Sequence, residues 1–243
     1  MQVLFNFLRL LWRVWFYTWM LVVILLLFPL LLISTTKEKW YPYFYKLARI
    51  WAKAMIYGMG FYPKVSFKSN FEKGKSYVLA ANHTSMMDIM MMLYLSKNPF
   101  VFVGKKELAK MPIFGYFYKR TCILVDRSDP KSRRSVFEAS KKRIQTGLSI
   151  CIFPEGGIPD DENIILDEFK DGAFRVAIDH QIPIVPISFV TNKKRFPYPF
   201  FKGSPGVLQA NIHWPIPTIG KDLKDKKMLK KLVRELLLKD LNY

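Results

Sequence analysis

The sequence predicts an α/β fold, with a mixed, mostly parallel sheet flanked by helices and preceded by an N-terminal membrane-embedded helical segment. Two observations carry this prediction. An uncharged apolar run near the N-terminus is long enough to cross a bilayer, and from Val65 onward short β-type runs alternate with helical stretches. A chain of 243 residues has room for one α/β domain and an accessory segment. We therefore expect membrane-embedded helices in residues 1–63 and the α/β domain in residues 64–243.

The N-terminal apolar run extends from Val14 to Ile33 without a charged residue. At about 1.5 Å of rise per residue, such a helix covers the roughly 30 Å hydrocarbon core of a bilayer. The run exceeds the roughly 7–15 residues of a signal-peptide core, and no small-residue cleavage site follows it. Arg9 and Arg13 before the run nearly balance two lysines after it, so a full span and a hairpin in one leaflet both fit the pattern.

The next segment, from Trp40 to Tyr62, is rich in aromatic residues and carries a narrow basic stripe. Lys46, Arg49 and Lys53 recur at helical spacing. Aromatic rings around a cationic stripe suit a helix in the headgroup zone, where lysine and arginine stems reach toward phosphates. The alternative is an amphipathic helix that packs on the α/β domain.

The α/β domain is predicted from apolar runs of strand length. They occupy residues 77–81, 100–104, 122–125, 148–153, 182–190 and 207–214. Apolar strands separated by crossover helices favour a sheet buried on both faces, with functional groups in the loops after the strands. A lysine-rich amphipathic helix over residues 223–241 closes the chain, and no linker divides this part into further domains.

Charge and composition restrict the classes of partner. The formal net charge is +19, so the surface attracts nucleic acid, an acidic protein or anionic headgroups. Cys122 and Cys151 are too few for a disulfide framework and are expected in the core. The three histidines, His83, His180 and His213, show no ligand spacing, so we expect no metal and no cofactor.

The loop after the first predicted strand contains Asn82-His83 and, five residues after the histidine, Asp88. Five residues turn about 140° around a helix, so the two side chains meet only if His83 lies outside it. Ser85 is suited to the N-cap position with Asp88 three residues later, which starts the helix between the pair.

A histidine oriented by a carboxylate can take a proton from a hydroxyl near neutral pH, because an imidazole has an ordinary pKa of about 6.5. No serine or cysteine nucleophile is then required. The alternative is that Asp88 only caps the helix and that His83 is a hydrogen-bonded polar residue without a catalytic role.

Four motifs in order resemble the lysophosphatidic acid acyltransferase (1-acylglycerol-3-phosphate acyltransferase) family of the glycerolipid acyltransferases, over roughly residues 65–190. They are Asn82-His83 to Asp88, matching NHxxxxD; Gly104 to Leu108 with Pro112, Gly115 and Val125-Asp126-Arg127; Phe153-Pro154-Glu155-Gly156 with Phe169 to Ala173; and Ile184 to Ser188. The resemblance implies the glycerolipid acyltransferase fold. It also implies that His83 deprotonates the acceptor hydroxyl while Asp88 holds the imidazole.

The resemblance further implies a glycerophosphate pocket built from Lys105, Arg127 and the Glu155-Gly156 turn. Cations suit a phosphate monoester, whereas the carboxylate of Glu155 would repel it. We therefore expect Glu155 to hydrogen-bond a glycerol hydroxyl or to orient one of the two cations; a purely structural ion pair is the alternative.

Two departures from the family pattern affect the acceptor. Relatives often continue the third motif with Thr-Arg, where this chain has Gly157-Ile158, so one phosphate ligand is missing and Lys170 is among the cations expected to compensate. The region Arg120-Thr121-Cys122 is one residue shorter than the family spacing, which weakens the assignment of Arg127.

The resemblance implies acyl transfer from acyl carrier protein or coenzyme A thioesters to the sn-2 hydroxyl of 1-acyl-glycerol-3-phosphate, making phosphatidic acid. The expected partners are membrane lipids, the lysophospholipid acceptor and the thioester donor. Nucleic acid is not expected, because the cations form no recognised reading motif. The expected location is the cytoplasmic face of a bacterial inner membrane.

Three alternatives stay open. The acceptor could be glycerol 3-phosphate or a lyso-aminolipid, or the protein could be a non-catalytic basic membrane-binding protein. An ester hydrolase is disfavoured because the sequence lacks a G-x-S-x-G elbow. The methionine-rich run from Met86 to Met92 could line an acyl tunnel, although such a run more often belongs to a core.

Overall fold

The structure, a computed structural model, describes residues 1–68, 71–159, 161 and 163–242. The helices are α1 (Gln2–Ser34), α2 (Tyr41–Gly58), α3 (Met87–Leu95), α4 (Phe114–Thr121), α5 (Pro130–Gln145), α6 (Gly172–Asp179), α7 (Asn192–Arg195) and α8 (Lys226–Leu241). The strands are β1 (Phe61–Phe67), β2 (Val78–Ala81), β3 (Phe100–Lys105), β4 (Ile123–Val125), β5 (Ser149–Ile152), β6 (Ile184–Phe189) and β7 (Gly206–Ile212).

These strands form a seven-stranded sheet in the order β1-β7-β6-β2-β5-β3-β4. The neighbours from β6 to β4 pair in parallel. Strand β7 runs antiparallel to β6, because Val190 bonds to Gln209 whereas His213 bonds to Pro186. The predicted mixed, mostly parallel sheet flanked by helices is therefore confirmed, and each predicted strand lies within two residues of its observed bounds.

Strand β1 is an element that sequence reasoning missed, since the helical interpretation was extended to Tyr62. Its run Phe61–Phe67 contains Pro63, which argues against a strand in the middle of a sheet. Here the strand lies at the edge of the sheet, where a missing N–H is tolerated. It begins before residue 64, and the division of the chain at that residue stays a prediction.

The chain forms two compact units by its own contacts. The first unit comprises Met1–Ser66, His83–Lys97 and Phe189–Ala210; the second comprises Phe67–Asn82, Asn98–Ser188 and Asn211–Tyr243.

In the first unit, α1 and α2 form an antiparallel hairpin joined by indole hydrogen bonds. Trp12, Trp15 and Trp19 donate to the carbonyl oxygens of Met59, Gly58 and Ala54, respectively. Among the described residues, α1 is a helix long and apolar enough to cross a membrane, with a mean hydropathy of 2.6. Only 17% of its most apolar window is buried by protein, which suits contact with lipid. The apolar helix and the relatives described below indicate association with a membrane.

The basic stripe of α2 is divided between protein and solvent. Arg49 donates a hydrogen bond of 3.1 Å to the carbonyl oxygen of Leu93 in the last turn of α3, while Lys46 and Lys53 are exposed. Cations near a helix C-terminus satisfy carbonyl groups that lack a partner within the helix. The α3 methionines Met90 to Met92 are at most 3% exposed, so they pack in the core of this unit.

In the second unit, β2 and β5 are completely buried, and Cys151 lies in β5 as expected for a core residue. Cys122 was also expected in the core but is only partly buried, because it lies between the end of α4 and the edge strand β4. His213 is 4% exposed, and its Nε2 lies 2.7 Å from Oδ2 of Asp240 in α8. His180 Nε2 lies 3.2 Å from the carbonyl oxygen of Phe137. Both histidines are therefore hydrogen-bonded structural residues, in agreement with the sequence-based expectation.

Candidate active site

His83 and Asp88 are in direct contact in the first unit. Nδ1 of His83 lies 2.9 Å from Oδ2 of Asp88. The Asp88 side chain is fully buried, whereas 17% of the His83 side chain is exposed. The imidazole is thus partly accessible, whereas the carboxylate that contacts it is fully buried.

The backbone around the pair holds the carboxylate in place. The N–H groups of Thr84 and Ser85 donate hydrogen bonds of 2.7 and 2.8 Å to the same oxygen, Oδ2 of Asp88. Helix α3 begins at Met87, so Asp88 lies in its first turn, where N–H groups are unpaired and a negative charge is favourable. The helix start between His83 and Asp88 therefore lets the side chains meet.

The helix start differs in detail from the predicted capping box. Met86 is the N-cap, one residue later than predicted, and the Ser85 hydroxyl accepts from the N–H of Met87 rather than from that of Asp88. The carboxylate half of the box is present, since Asp88 accepts from the N–H of Ser85. The difference arises because the Ser85 hydroxyl donates to the carbonyl oxygen of Phe196 at 2.6 Å and is thereby held toward residues distant in sequence.

The second oxygen of Asp88 is held by Asn192, a residue that sequence reasoning missed. Nδ2 of Asn192 donates a hydrogen bond of 2.7 Å to Oδ1, and the Asn192 side chain is fully buried. The signal that could have found it is position: Asn192 begins the turn after β6, and loops after parallel strands carry functional groups.

The contact with Asp88 assigns the two nitrogens of the imidazole. An ionised carboxylate only accepts hydrogen bonds, so Nδ1 carries the proton of the neutral ring. Nε2 is then the basic nitrogen. This arrangement can accept a proton from a hydroxyl while the carboxylate stabilises the imidazolium that forms.

The second unit gathers a cationic cluster at the carboxyl ends of three neighbouring strands. Lys105 ends β3, Arg127 follows β4, and Gly156-Gly157 follows β5. A Cβ placed on Gly157 would lie 3.7 Å from Nζ of Lys105 and 3.8 Å from Nη1 of Arg127. The two cations therefore lie beside the same short stretch of backbone.

Gly156 connects this cluster to Lys170. Its φ of +85° is a left-handed backbone conformation that favours glycine. A Cβ there would lie 3.6 Å from Nη1 of Arg127 and 3.5 Å from Cγ of Lys170. The N–H of Lys170 donates to the carbonyl oxygen of Pro154 at 2.7 Å, which ties the lysine to this turn. Predicted residues from the second and third motifs are thus brought together.

The backbone of Arg127 is held by a hydrogen bond from helix α5. Its carbonyl oxygen accepts a hydrogen bond of 3.0 Å from Nη1 of Arg133. Partial burial lowers the pKa of Arg127, while Tyr118 and Glu107 act in the opposite direction. A guanidinium stays charged at neutral pH despite such a shift.

Glu155 differs from its neighbours because its carboxylate points into the protein. It is 3% exposed, and Oε2 accepts a hydrogen bond of 2.8 Å from the N–H of Asp167. One role of Glu155 is therefore to order the loop between the third motif and Lys170. Among the described residues, no group of three metal-binding side chains is gathered at one place.

The fold and the His83–Asp88 pair place the chain among the α/β acyltransferases. It belongs to the Acyltransferase family, which it matches over residues 63–190. The family resemblance predicted from the four motifs is thereby confirmed.

Several curated relatives are similar over most of this chain. An uncharacterized acyltransferase of Schizosaccharomyces pombe is 30% identical over 164 residues, covering 67% of this chain and 59% of the relative. A chloroplastic 1-acyl-sn-glycerol-3-phosphate acyltransferase of Arabidopsis thaliana is 28% identical, covering 82% of this chain and 55% of the relative. The human 1-acyl-sn-glycerol-3-phosphate acyltransferase beta is 26% identical, covering 68% of this chain and 59% of the relative. The chain thus spans somewhat more than half the length of these relatives.

A solved structure shares the fold. The crystal structure of the 1-acyl-sn-glycerophosphate (LPA) acyltransferase PlsC from Thermotoga maritima aligns with a TM-score of 0.77 and 24% identity. The alignment covers 100% of this chain and 97% of that one. The predicted glycerolipid acyltransferase fold is therefore confirmed.

Proposed function

We propose that this protein transfers a fatty acyl group from an acyl carrier protein or coenzyme A thioester to the sn-2 hydroxyl of 1-acyl-glycerol-3-phosphate, making phosphatidic acid. The observation that carries the proposal is the contact of 2.9 Å between Nδ1 of His83 and the buried carboxylate of Asp88. The relatives named as 1-acyl-sn-glycerol-3-phosphate acyltransferases support the same acceptor.

In the proposed reaction, Nε2 of His83 takes the proton of the acceptor hydroxyl as the oxygen attacks the thioester carbonyl. The tetrahedral intermediate collapses, the carbon–sulfur bond breaks, and the thiolate receives a proton from the imidazolium. Asp88 holds the ring and stabilises its charged form throughout. No acyl-enzyme forms, because the acceptor oxygen attacks the donor directly.

We assign the acceptor phosphate to the cationic cluster of Lys105, Arg127 and Lys170. A phosphate monoester with nearly two negative charges binds well to a guanidinium fork and to lysine ammonium groups. The buried Glu155 orders the loop that carries Lys170, and a contact with a glycerol hydroxyl is part of the same proposal.

We further propose that the enzyme acts at the cytoplasmic face of a bacterial inner membrane. The long-chain acceptor resides in the bilayer, and the lipid-facing surface of α1 keeps the protein there. Both thioester donors are anionic, and a net charge of +19 attracts either of them as well as anionic lipid.

The test is a transfer assay with purified full-length protein in mixed micelles, using 1-acyl-glycerol-3-phosphate and each thioester donor in turn. We expect phosphatidic acid, detected by mass spectrometry. His83→Ala should reduce the rate by about 10²–10⁴-fold, the usual contribution of a positioned general base. His180→Ala provides a matched control without effect. An unchanged rate for His83→Ala would overturn the proposed mechanism.

A second acceptor class is favoured by one specific observation. Where relatives often carry Thr-Arg, this chain has Gly157-Ile158, which removes a phosphate ligand. A lyso-aminolipid, which has no phosphate monoester, is the acceptor that this change favours. Glycerol 3-phosphate, which keeps the phosphate, is the other alternative acceptor. Parallel assays with each acceptor separate them, and a kcat/KM that is highest for the lyso-aminolipid would replace lysophosphatidate as the substrate.

A further inference from the structure

Arg13 is a buried cation in the membrane helix α1. Arg13 is 3% exposed, whereas Arg9, one turn earlier in the helix, is only partly buried. Nη2 of Arg13 donates to the carbonyl oxygens of Pro197, Pro199 (3.1 Å) and Lys202 (3.2 Å). Three carbonyl groups of one loop, here named loop 196–202, therefore converge on a single guanidinium.

The same guanidinium also covers the ring at the beginning of this loop. Cζ of Arg13 lies 3.9 Å from the ring centroid of Phe196, within cation–π distance. Phe196 is 1% exposed and packs against Phe16 and Trp12 of α1, with centroid distances of 4.6 and 5.3 Å. The loop is thus attached to α1 by both polar and aromatic contacts.

The backbone of Phe196 connects this attachment to the catalytic loop. Its carbonyl oxygen accepts the hydrogen bond of 2.6 Å from the Ser85 hydroxyl. Its N–H donates to the carbonyl oxygen of Asn192 at 2.8 Å, and Asn192 holds Oδ1 of Asp88. The single turn of α7 is therefore joined at both ends to the segment that contains His83 and Asp88.

We propose that Arg13 is a positioning residue for the His83–Asp88 pair, acting through loop 196–202 and α7. The inference deepens the proposed function and rests on it for the role of the pair in catalysis. A guanidinium is suited to the task because its Nη2 donates to the loop carbonyl groups while its flat face stacks on the ring of Phe196. Partners behind a catalytic group fix its orientation, and their loss loosens the site without removing a reacting atom.

The energetics favour a positioning role over simple anchoring. Apolar contacts such as that of Phe16 with Phe196 already attach α1 to this loop without a charge. Burial of a charge costs several kcal/mol in general, so it persists where it satisfies a specific set of acceptors. Here those acceptors are backbone carbonyl oxygens of loop 196–202, which is connected to Asp88 through the hydrogen bonds of Phe196 and Asn192.

The kinetic test compares Arg13→Lys, Ser85→Ala and the double variant in the transfer assay. Lysine keeps the charge but loses the flat guanidinium that stacks on Phe196. Ser85→Ala removes the hydrogen bond between the catalytic loop and the carbonyl oxygen of Phe196. We expect kcat to fall about 10–100-fold in each single variant, the range for a small misplacement of reacting groups, with KM changed less than about twofold. The double variant should be no slower than the slower single variant, because both changes disrupt the same chain of contacts from Arg13 through Phe196 to Ser85.

The matched control is Arg9→Lys. Arg9 donates a single hydrogen bond of 3.0 Å to the carbonyl oxygen of Phe201 in the same loop. A lysine can keep a single hydrogen bond of this kind, so the conservative replacement should leave kcat unchanged. If Arg13→Lys behaves like Arg9→Lys, the proposal is overturned. If Arg13→Lys does not fold, Ser85→Ala tests the proposal, because this variant leaves α1 intact. An unchanged kcat in Ser85→Ala would then overturn it.

A readout independent of turnover is the Nδ1–H resonance of His83, observed by NMR in histidine-labelled protein and assigned with His83→Ala. We expect it to shift or broaden in Arg13→Lys and to stay in place in Arg9→Lys. If the resonance changes in Arg13→Lys and the wild-type protein does not acylate lysophosphatidate, the proposed function is refuted and the positioning inference is kept. If the wild-type protein acylates lysophosphatidate and Arg13→Lys shows normal turnover with an unchanged resonance, the positioning inference alone is refuted.

Discussion

Asn192 donates a hydrogen bond of 2.7 Å to Oδ1 of Asp88, while His83 lies 2.9 Å from Oδ2 of the same carboxylate. The carboxylate is fully buried, and rotation about its last bond would sacrifice contacts on both oxygens. Asn192 therefore fixes the orientation of the acid that orients the imidazole.

Replacement of Asn192 by alanine should lower both stability and turnover. The buried Oδ1 of Asp88 loses its donor, and an unsatisfied buried polar group costs about 1–3 kcal/mol. We expect kcat to fall less than in His83→Ala, because the contact between His83 and Asp88 remains. Chemical denaturation and the transfer assay measure the two effects. Lys194→Ala, on the exposed face of the same turn, is the control, and equal behaviour of the two variants would contradict the assignment.

Arg127→Lys should weaken binding of a phosphate-bearing acceptor. Lysine keeps the charge but cannot form the two parallel hydrogen bonds of a guanidinium, and a charged hydrogen bond contributes about 1.5–3 kcal/mol. We expect kcat/KM for lysophosphatidate to fall about tenfold or more, with a smaller change for an acceptor that lacks phosphate. Arg134→Lys on the exposed surface of α5 is the matched control. An equal loss of kcat/KM for both acceptors would show that Arg127 does not bind the phosphate.

The sequence predicts contacts that are close along the chain better than those that are distant. The contact of His83 with Asp88 follows from helix geometry, since a helix start between them allows the side chains to meet. Asn192 lies 104 residues from Asp88, and no periodicity connects the two positions. Arg13 was counted as a charge flanking an apolar run, because only the folded chain brings it to loop 196–202.

Gly58→Ala should loosen the hairpin of α1 and α2. A Cβ at Gly58 would lie 2.6 Å from Cε2 of Trp19, which is much closer than real contacts allow. The indole would have to move away from the carbonyl oxygen of Ala54, to which it donates at 2.9 Å. Overpacking of this kind typically costs about 1–3 kcal/mol. We expect a lower melting temperature in micelles, partly restored by Trp19→Phe in the same chain; full stability of Gly58→Ala alone would contradict the packing.

The thiol of Cys151 should stay unreactive in the folded protein. Burial raises its pKa well above the ordinary value, and burial also raises the pKa of Cys122 to about 12. The thiolate is the reactive form, so both thiols remain protonated at pH 8 and react with a disulfide reagent only after unfolding. The unfolded chain releases these protons above about pH 8.5, so stability falls as pH rises past that value. Rapid labelling of native protein at pH 8 would contradict this.

Acid should weaken the attachment of α8 through Asp240. Burial by itself raises the pKa of Asp240, but hydrogen bonds from three neighbours together lower it. Those neighbours are Ser188, Asn211 and His213. A carboxylate whose pKa is lower in the folded state stabilises the protein above its unfolded pKa of about 3.9, and this stability is lost as pH falls through the folded value.

Asp240→Asn therefore has an effect that depends on pH. At pH 7 the variant should be less stable than the wild type, and the difference should shrink below about pH 4, because the wild-type carboxyl then takes up a proton as well. Urea denaturation at a series of pH values measures the difference. Glu235→Gln removes a charge from an exposed side chain of the same helix, 3.8 Å from Lys231, and should change stability little at any pH. A difference for Asp240→Asn that stays constant from neutral to acidic pH would show that the carboxylate charge does not hold α8 in place.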